Sequence, residues 1–267
     1  MNTRIVGCGE VTMVLSHGYG GSQSVWDDVV PHLSQRYRVL LFDWCFSSAV
    51  DPSSLPDAGS DPSRYSSLGG LADDLVSLLD EMELGRVVFV GHSMAGMVGC
   101  LASVRRPDLF AYLVLIGASP RYYNSEDYEG GFERKEVEGM VSSIESDFLT
   151  WAKSFAALAV GADDPESVEK FGRSLAGMRP EAAVPLARTL FFGDLRDVVE
   201  KVEVPCTIIQ GANDVVVPVS VAHYMKSRMK GKARVEIMDA DGHFPQLTSP
   251  RMLLNIIDSH LMPLIIA

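Results

Sequence analysis

The sequence predicts an α/β protein: a mostly parallel central sheet with helices on both faces and a block of four helices inserted into the chain. Three observations predict it. Short apolar runs bounded by Gly, Pro or Asp alternate with longer segments of helical period. Residues 120–190 break that alternation with helical patterns and no convincing strand, and the loops after several strands pair Gly with Ser, Asp or His.

Taken in order, residues 1–10 contain no apolar core of the kind that directs export. The first strand is expected at residues 11–15, far short of the roughly 20 apolar residues that a membrane helix needs. Strands are expected at 38–43, 87–90, 113–116, 206–209 and 235–238, each an apolar run with the composition of a buried strand. Between the strands at 38–43 and 87–90, residues 47–70 are rich in Ser, Pro, Asp and Gly and read as a long surface connection. Residues 71–83 place Leu71, Leu75, Leu78, Leu79 and Met82 on one helical face, and a helix over 94–105 starts directly after a Gly-His-Ser turn. Four helices are expected at 133–144, 147–159, 165–176 and 180–192, punctuated by Ser146-Asp147, Gly161, Asp164-Pro165 and Arg179-Pro180. This divides the chain into a core of residues 1–119 and 191–267 and a helical cap of 120–190.

Composition narrows the function. A chain of 267 residues with 47% hydrophobic and 22% charged residues can bury a substantial core and is neither disordered nor collagen-like. The net charge of −12 opposes a phosphate-tracking surface, so neither nucleic acid nor an anionic membrane is expected as a partner. A small ligand or a protein partner fits better, and a cytoplasmic and nuclear monomer is expected. Cys8, Cys45, Cys100 and Cys206 lack CxxC spacing and read as buried thiols, with no metal site.

The chemistry concentrates in loops. Strand 87–90 runs into a helix through Gly91-His-Ser-Met-Ala-Gly96, a tight turn that lifts Ser93 above the sheet and aims helix N–H groups at it. A serine hydroxyl needs a base to become a nucleophile, and the base needs an orienting group. Asp214 follows the strand at 206–209 and His243 follows the strand at 235–238 within Asp-Ala-Asp-Gly-His. Asp197, Asp239 and Asp241 compete for the acid, and His17, His32, His92, His223 and His260 for the base. Only His243 follows a late strand in a glycine turn. The order Ser93, Asp214, His243 is that of the α/β-hydrolases. His17-Gly-Tyr-Gly-Gly21 follows the first strand, so the N–H groups of Tyr19 and Met94 are expected to form an oxyanion hole, each donor contributing roughly 3 to 4 kcal/mol to the transition state. No cofactor is expected.

These residues resemble a known family. The segments His17-Gly-Tyr-Gly, Gln23-Ser-Val-Trp26, Gly91-His-Ser, Ala118-Ser-Pro-Arg-Tyr122, Tyr128-Glu-Gly-Gly-Phe-Glu133, Met178-Arg-Pro180 and Asp241-Gly-His-Phe-Pro-Gln-Leu247 are similar to the plant karrikin and strigolactone receptor family of α/β-hydrolases, from Gly7 to about His260. Tyr122 with Tyr123, Val217-Pro-Val219 and Pro245-Gln-Leu247 look closer to the karrikin-receptor branch.

The resemblance implies a slow hydrolase used as a sensor of a butenolide hormone. It further implies a ligand cleaved by Ser93, His243 and Asp214, with its ring transiently on His243, and signalling through an F-box protein and a repressor. Matching positions give Tyr19, Tyr122, Phe132, Trp151, Phe155 and Phe191 as pocket walls. The chain departs from the family's usual pattern at Asp43-Trp-Cys-Phe-Ser-Ser-Ala49, at Met94-Ala95, at Ala157 and at Tyr19, where phenylalanine is commoner. A small-molecule carboxylesterase without a signalling role and a non-catalytic ligand-binding module are the alternatives.

Overall fold

Among the described residues seven strands form one sheet: β1 (Asn2–Val6), β2 (Thr12–Ser16), β3 (Arg38–Asp43), β4 (Val87–His92), β5 (Phe110–Ile116), β6 (Cys206–Asn213) and β7 (Ala233–Asp241). Their order is β1-β3-β2-β4-β5-β6-β7, parallel throughout except that β1 runs antiparallel along β3. The computed structural model describes residues 1–51, 66–161 and 163–265. Six strands arise where the apolar runs predict them, because parallel strands buried on both faces must be continuously hydrophobic. All six residues of β4 are buried, and successive side chains point to opposite faces, so both faces of the sheet are covered.

β1 is the strand that hydrophobicity did not reveal. It is an exposed edge, with Ile5 42% accessible, so its pairing with β3 rests on backbone bonds and leaves no apolar signature. β6 and β7 also outrun their apolar cores. Their ladder continues to the pair Asn213–Asp241, where Asn213 Nδ2 donates to Asp241 Oδ1 at 2.7 Å, and this carries both strands to the loops that hold Asp214 and His243.

The helices are α1 (Val30–Leu33), α2 (Leu68–Glu81), α3 (Met94–Arg105), α4 (Arg134–Ser146), α5 (Phe148–Val160), α6 (Pro165–Ala176), α7 (Pro180–Phe192), α8 (Arg196–Val199), α9 (Val219–Arg228), α10 (Pro245–Thr248) and α11 (Pro250–Ile265). α3 packs on α2, β4 and β5, and α9 packs on β6 and β7. α4 to α7 follow one another between β5 and β6, with α5 against α6 and α4 against both α5 and α7. Their starts follow their sequence signals. Asp147 accepts from Thr150 N, Asp164 accepts from Ser167 N, and Glu133 and Glu136 cap α4 reciprocally.

The expected surface connection over 47–70 needs correction at both ends, and its residues 52–65 lie outside the described residues. Ser47 is fully buried, and residues 68–70 belong to α2. The two glycines lower helix propensity there, but Leu68 is buried and Arg105 Nη1 donates to Gly69 O at 2.7 Å, so tertiary contacts override propensity. The cysteines are free, and Cys45, Cys100 and Cys206 are buried as expected, burial pushing the Cys206 thiol up to about 12. Cys8 is exposed because the segment after β1 runs along the surface.

Candidate active site

Ser93 sits between β4 and α3 with φ 55° and ψ −121°, a conformation that costs a non-glycine residue about 1 to 3 kcal/mol. The turn is held by Ser93 N donating to Ile116 O at 2.8 Å and Gly96 N donating to Ser93 O at 2.9 Å. It closes only around small residues. A Cβ on Gly91 would lie 2.7 Å from Gly96 N, and one on Gly96 would lie 2.6 Å from the Ala118 Cβ. Met94 is the first residue of α3, so its N–H has no acceptor within the helix and faces the same end of the sheet as the serine.

His243 and Asp214 reach Ser93 from the ends of β7 and β6. The His243 Nε2 lies 2.8 Å from Ser93 Oγ, and its Nδ1 lies 2.7 Å from Asp214 Oδ2. All three side chains are largely excluded from solvent. Asp214 is fixed from several directions: Oδ1 accepts from Val216 N and Val217 N at 2.8 and 3.1 Å, and Oδ2 accepts from Gln210 Nε2 at 2.9 Å. The carboxylate therefore holds its proton-accepting oxygen on the imidazole. Asp197, Asp239 and Asp241 do not reach His243: Asp197 pairs with Lys201 and Asp241 with Asn213.

Three residues support this chain: Gly117 and Gln210, which carried no motif signal, and His92, which the sequence offered only as a competing base. Gly117, with φ +56°, lies beneath the imidazole, where a Cβ would be 3.0 Å from His243 Cε1. Gln210 Nε2 also donates to Val217 O at 2.8 Å, so one amide ties the acid to its loop. His92 is fully buried, and burial together with the nearby His243 holds its pKa well below the ordinary histidine value. It is therefore neutral, and its Nε2 donates to His243 O at 2.8 Å. Burial likewise lowers the pKa of His17, whose Nε2 accepts from Trp44 N at 3.3 Å while Nδ1 donates to Gly18 O at 2.9 Å. That histidine shapes the β2 loop and does not touch Ser93.

The β2 loop crosses close to the serine turn. A Cβ on Gly18 would be 2.9 Å from His92 O and 3.1 Å from Ser93 Cβ, so only glycine lets the loop carry Tyr19 past Ser93. The cavity beside Ser93 is lined by Tyr19, Tyr122, Phe155, Phe171, Leu190, Phe191, Val216 and Phe244, with His92 and His243. Of the six residues expected as walls, Tyr19, Tyr122, Phe155 and Phe191 line this cavity. Trp151 stands one layer back, stacked on Phe155 at 4.8 Å and edge-on to Tyr19 at 6.3 Å. Phe132 does not line this cavity: its N–H donates to Tyr122 O and its C=O accepts from Asn124 N, which holds it beside the 122–124 segment. The Tyr122 hydroxyl is buried beside Ser93, and burial raises its pKa further than the neighbouring Ser93 hydroxyl lowers it, so it stays protonated.

A general model of the alpha/beta hydrolase family matches residues 13–255, a span that contains every strand from β3 to β7, nearly all of β2 and all three residues of the triad-like chain. The chain belongs to the alpha/beta hydrolase family. It is 44% identical to strigolactone esterase D14 of Arabidopsis thaliana, over 95% of this chain and 93% of that protein. It is 41% identical to karrikin insensitive 2 receptor CA of Petunia hybrida, over 97% and 95%. Identity to karrikin insensitive 2 receptor B of Petunia hybrida is again 44%, so overall identity does not separate the two branches. Among solved structures, the hydrolase olei00960 of Oleispira antarctica superposes with a TM-score of 0.92 at 29% identity, covering 97% of this chain and 94% of that one. Within the family, the chain is similar to the strigolactone esterase and the karrikin insensitive 2 receptors over nearly its whole length, and it is a hydrolase.

Proposed function

We propose that this protein is a butenolide hormone receptor with slow serine-hydrolase activity, in which Ser93 is the nucleophile, His243 the general base and Asp214 its orienting acid. The observation that carries this reading is the unbroken chain from Ser93 Oγ through both imidazole nitrogens to Asp214 Oδ2, in a family member similar to a strigolactone esterase. His243 takes the Ser93 proton as Oγ attacks the ligand carbonyl, and Asp214 steadies the imidazolium that forms. The Tyr19 and Met94 N–H groups receive the developing oxyanion, and the imidazolium returns its proton to the departing enol or alcohol. For a strigolactone-type ligand, loss of the enol leaves the ring-derived acyl group on Ser93 Oγ; neutral His243 Nε2 then attacks that acyl carbon, the Ser93 O–C bond breaks and Oγ regains a proton, and the ring-derived group rests on His243 until water releases it.

In this reading residues 120–190 act as a cap over Ser93, supported by the presence of Phe155, Phe171 and Phe191 from α5, α6 and α7 around it. The signalling partners are an F-box protein and a repressor met in the cytoplasm and nucleus. The test is a panel of butenolides read by thermal shift, intact-protein mass and ligand-dependent capture of the F-box protein. A ring-sized mass increase on His243 together with capture supports the receptor reading. Turnover with neither reduces the protein to an esterase.

A further inference from the structure

Beside Ser93 the free space is only about 20 Å³. That holds about one water molecule, whereas a ligand pocket commonly measures roughly 300–1,000 Å³. One residue spans the gap. Tyr19 starts at the loop next to Ser93, passes edge-on between Trp151 and Phe191 at 6.3 and 6.5 Å, and ends with its hydroxyl donating to the Ala183 carbonyl of α7 at 2.9 Å. Ala183 lies in the second turn of α7, two residues before Pro185, which has no N–H to give the carbonyl of Glu181 one turn back. The same loop is also pressed on α6, since a Cβ on Gly20 would be 2.4 Å from Leu175 Cδ1. The phenol is therefore a cross-strut between the loop that carries an oxyanion N–H and the helix that roofs the serine.

We propose that the Tyr19 hydroxyl sets the size limit of this site: the bond to Ala183 must break before any acyl group larger than the smallest can lie over Ser93. This rests on Ser93 being the nucleophile. A longer acyl chain must push the phenol aside and leave its buried hydroxyl without an acceptor, and a site built around a polar partner penalises that strongly. Phenylalanine at the same place keeps the ring, loses the tether to α7 and leaves the ring free to tilt.

The test compares kcat and KM for p-nitrophenyl acetate and p-nitrophenyl butyrate in the intact protein, Tyr19→Phe and Ser93→Ala. The wild-type protein prefers acetate, and Tyr19→Phe shrinks the acetate-to-butyrate ratio of kcat/KM at least tenfold, mainly through a lower KM for butyrate. A ratio unchanged within twofold, in a variant that melts normally and still depends on Ser93, overturns the strut. Turnover that survives Ser93→Ala overturns instead the nucleophile assignment beneath it. Should Tyr19→Phe fail to fold, Tyr19→Leu gives the same readout.

Discussion

The His243 N–H donates to the Ala159 carbonyl at 2.6 Å, so the turn that carries the imidazole hangs from the last turn of α5. Gly242, with φ +77°, makes this approach possible: a Cβ there would lie 2.3 Å from Val160 O. Imidazole position and helix position are therefore coupled through the backbone, which no side chain at 159 or 160 can replace. Gly242→Ala is expected to lower the melting temperature by at least about 2 °C, from backbone strain of about 1 to 3 kcal/mol in a chain of this size. It should also reduce kcat at least tenfold, checked by scanning calorimetry and ester turnover.

Gly117 makes a narrower prediction. Gly117→Ala places a methyl group 3.0 Å from His243 Cε1 and forces an L side chain to φ +56°. The imidazole must shift by a few tenths of an ångström away from its two partners, and since a 1 Å misplacement can cost about 100-fold, a loss on the order of several-fold to 10-fold is expected. Steady-state kinetics should show this loss in kcat with KM little changed.

Ser93 stores strain that catalysis needs and folding does not. With φ 55° and ψ −121°, the position suits glycine better than any residue with a Cβ. Ser93→Gly and Ser93→Ala both lose the hydroxyl, so the comparison isolates the backbone. Ser93→Gly should unfold at higher denaturant than Ser93→Ala, by about 1 kcal/mol. Equal midpoints in parallel urea titrations contradict a strained turn.

His92 makes stability depend on pH in a defined direction. Its folded pKa is held well below 6.5 by burial and by His243, so the unfolded chain binds a proton that the folded chain refuses. Stability is intact above the unfolded pKa of about 6.5 and falls as pH drops beneath it, by up to about 1.4 kcal/mol per pH unit for this group. His17 adds in the same direction. Melting curves from pH 8 to pH 5 should decline below pH 6.5, and His92→Gln should flatten that decline.

Much of this site is legible in the sequence because its chemistry is punctuated by backbone geometry. Ser93, Asp214 and His243 each follow an apolar β-branched run and precede a glycine or helix signal, which places them at one end of a parallel sheet before any contact is known. Gln210 and Gly117 lie as close to the triad and were silent, and His92, legible only as a competing base, proved to be a neutral support. Gln210 and His92 lie inside strands, where polar residues have many uses, and the proximity of Gly117 to His243 exists only once β5 lies beside β6. The same reason hides β1, whose partner β3 supplies all its pairing, and the Tyr19 hydroxyl, whose acceptor is 164 residues away. Aromatic pocket walls fall between these cases: Phe155 and Phe191 face the serine, whereas Phe132 answers to a local backbone bridge.

The orienting amide gives one further expectation. Gln210→Leu removes the donor to Asp214 Oδ2 while nearly keeping volume, leaving the two backbone N–H groups on Oδ1. A group of this kind that holds a first partner in place typically contributes 10- to 100-fold. The pH profile of kcat/KM should move along with its height, whereas a change confined to folding would alter the melting temperature alone.

The most direct measurement is turnover of a fluorogenic butenolide by the intact protein and by Ser93→Ala at matched, verified folding. Fluorescence release that falls at least a thousandfold on loss of the hydroxyl is the result expected of a serine activated through His243 and Asp214. Release at the unmodified rate would contradict it.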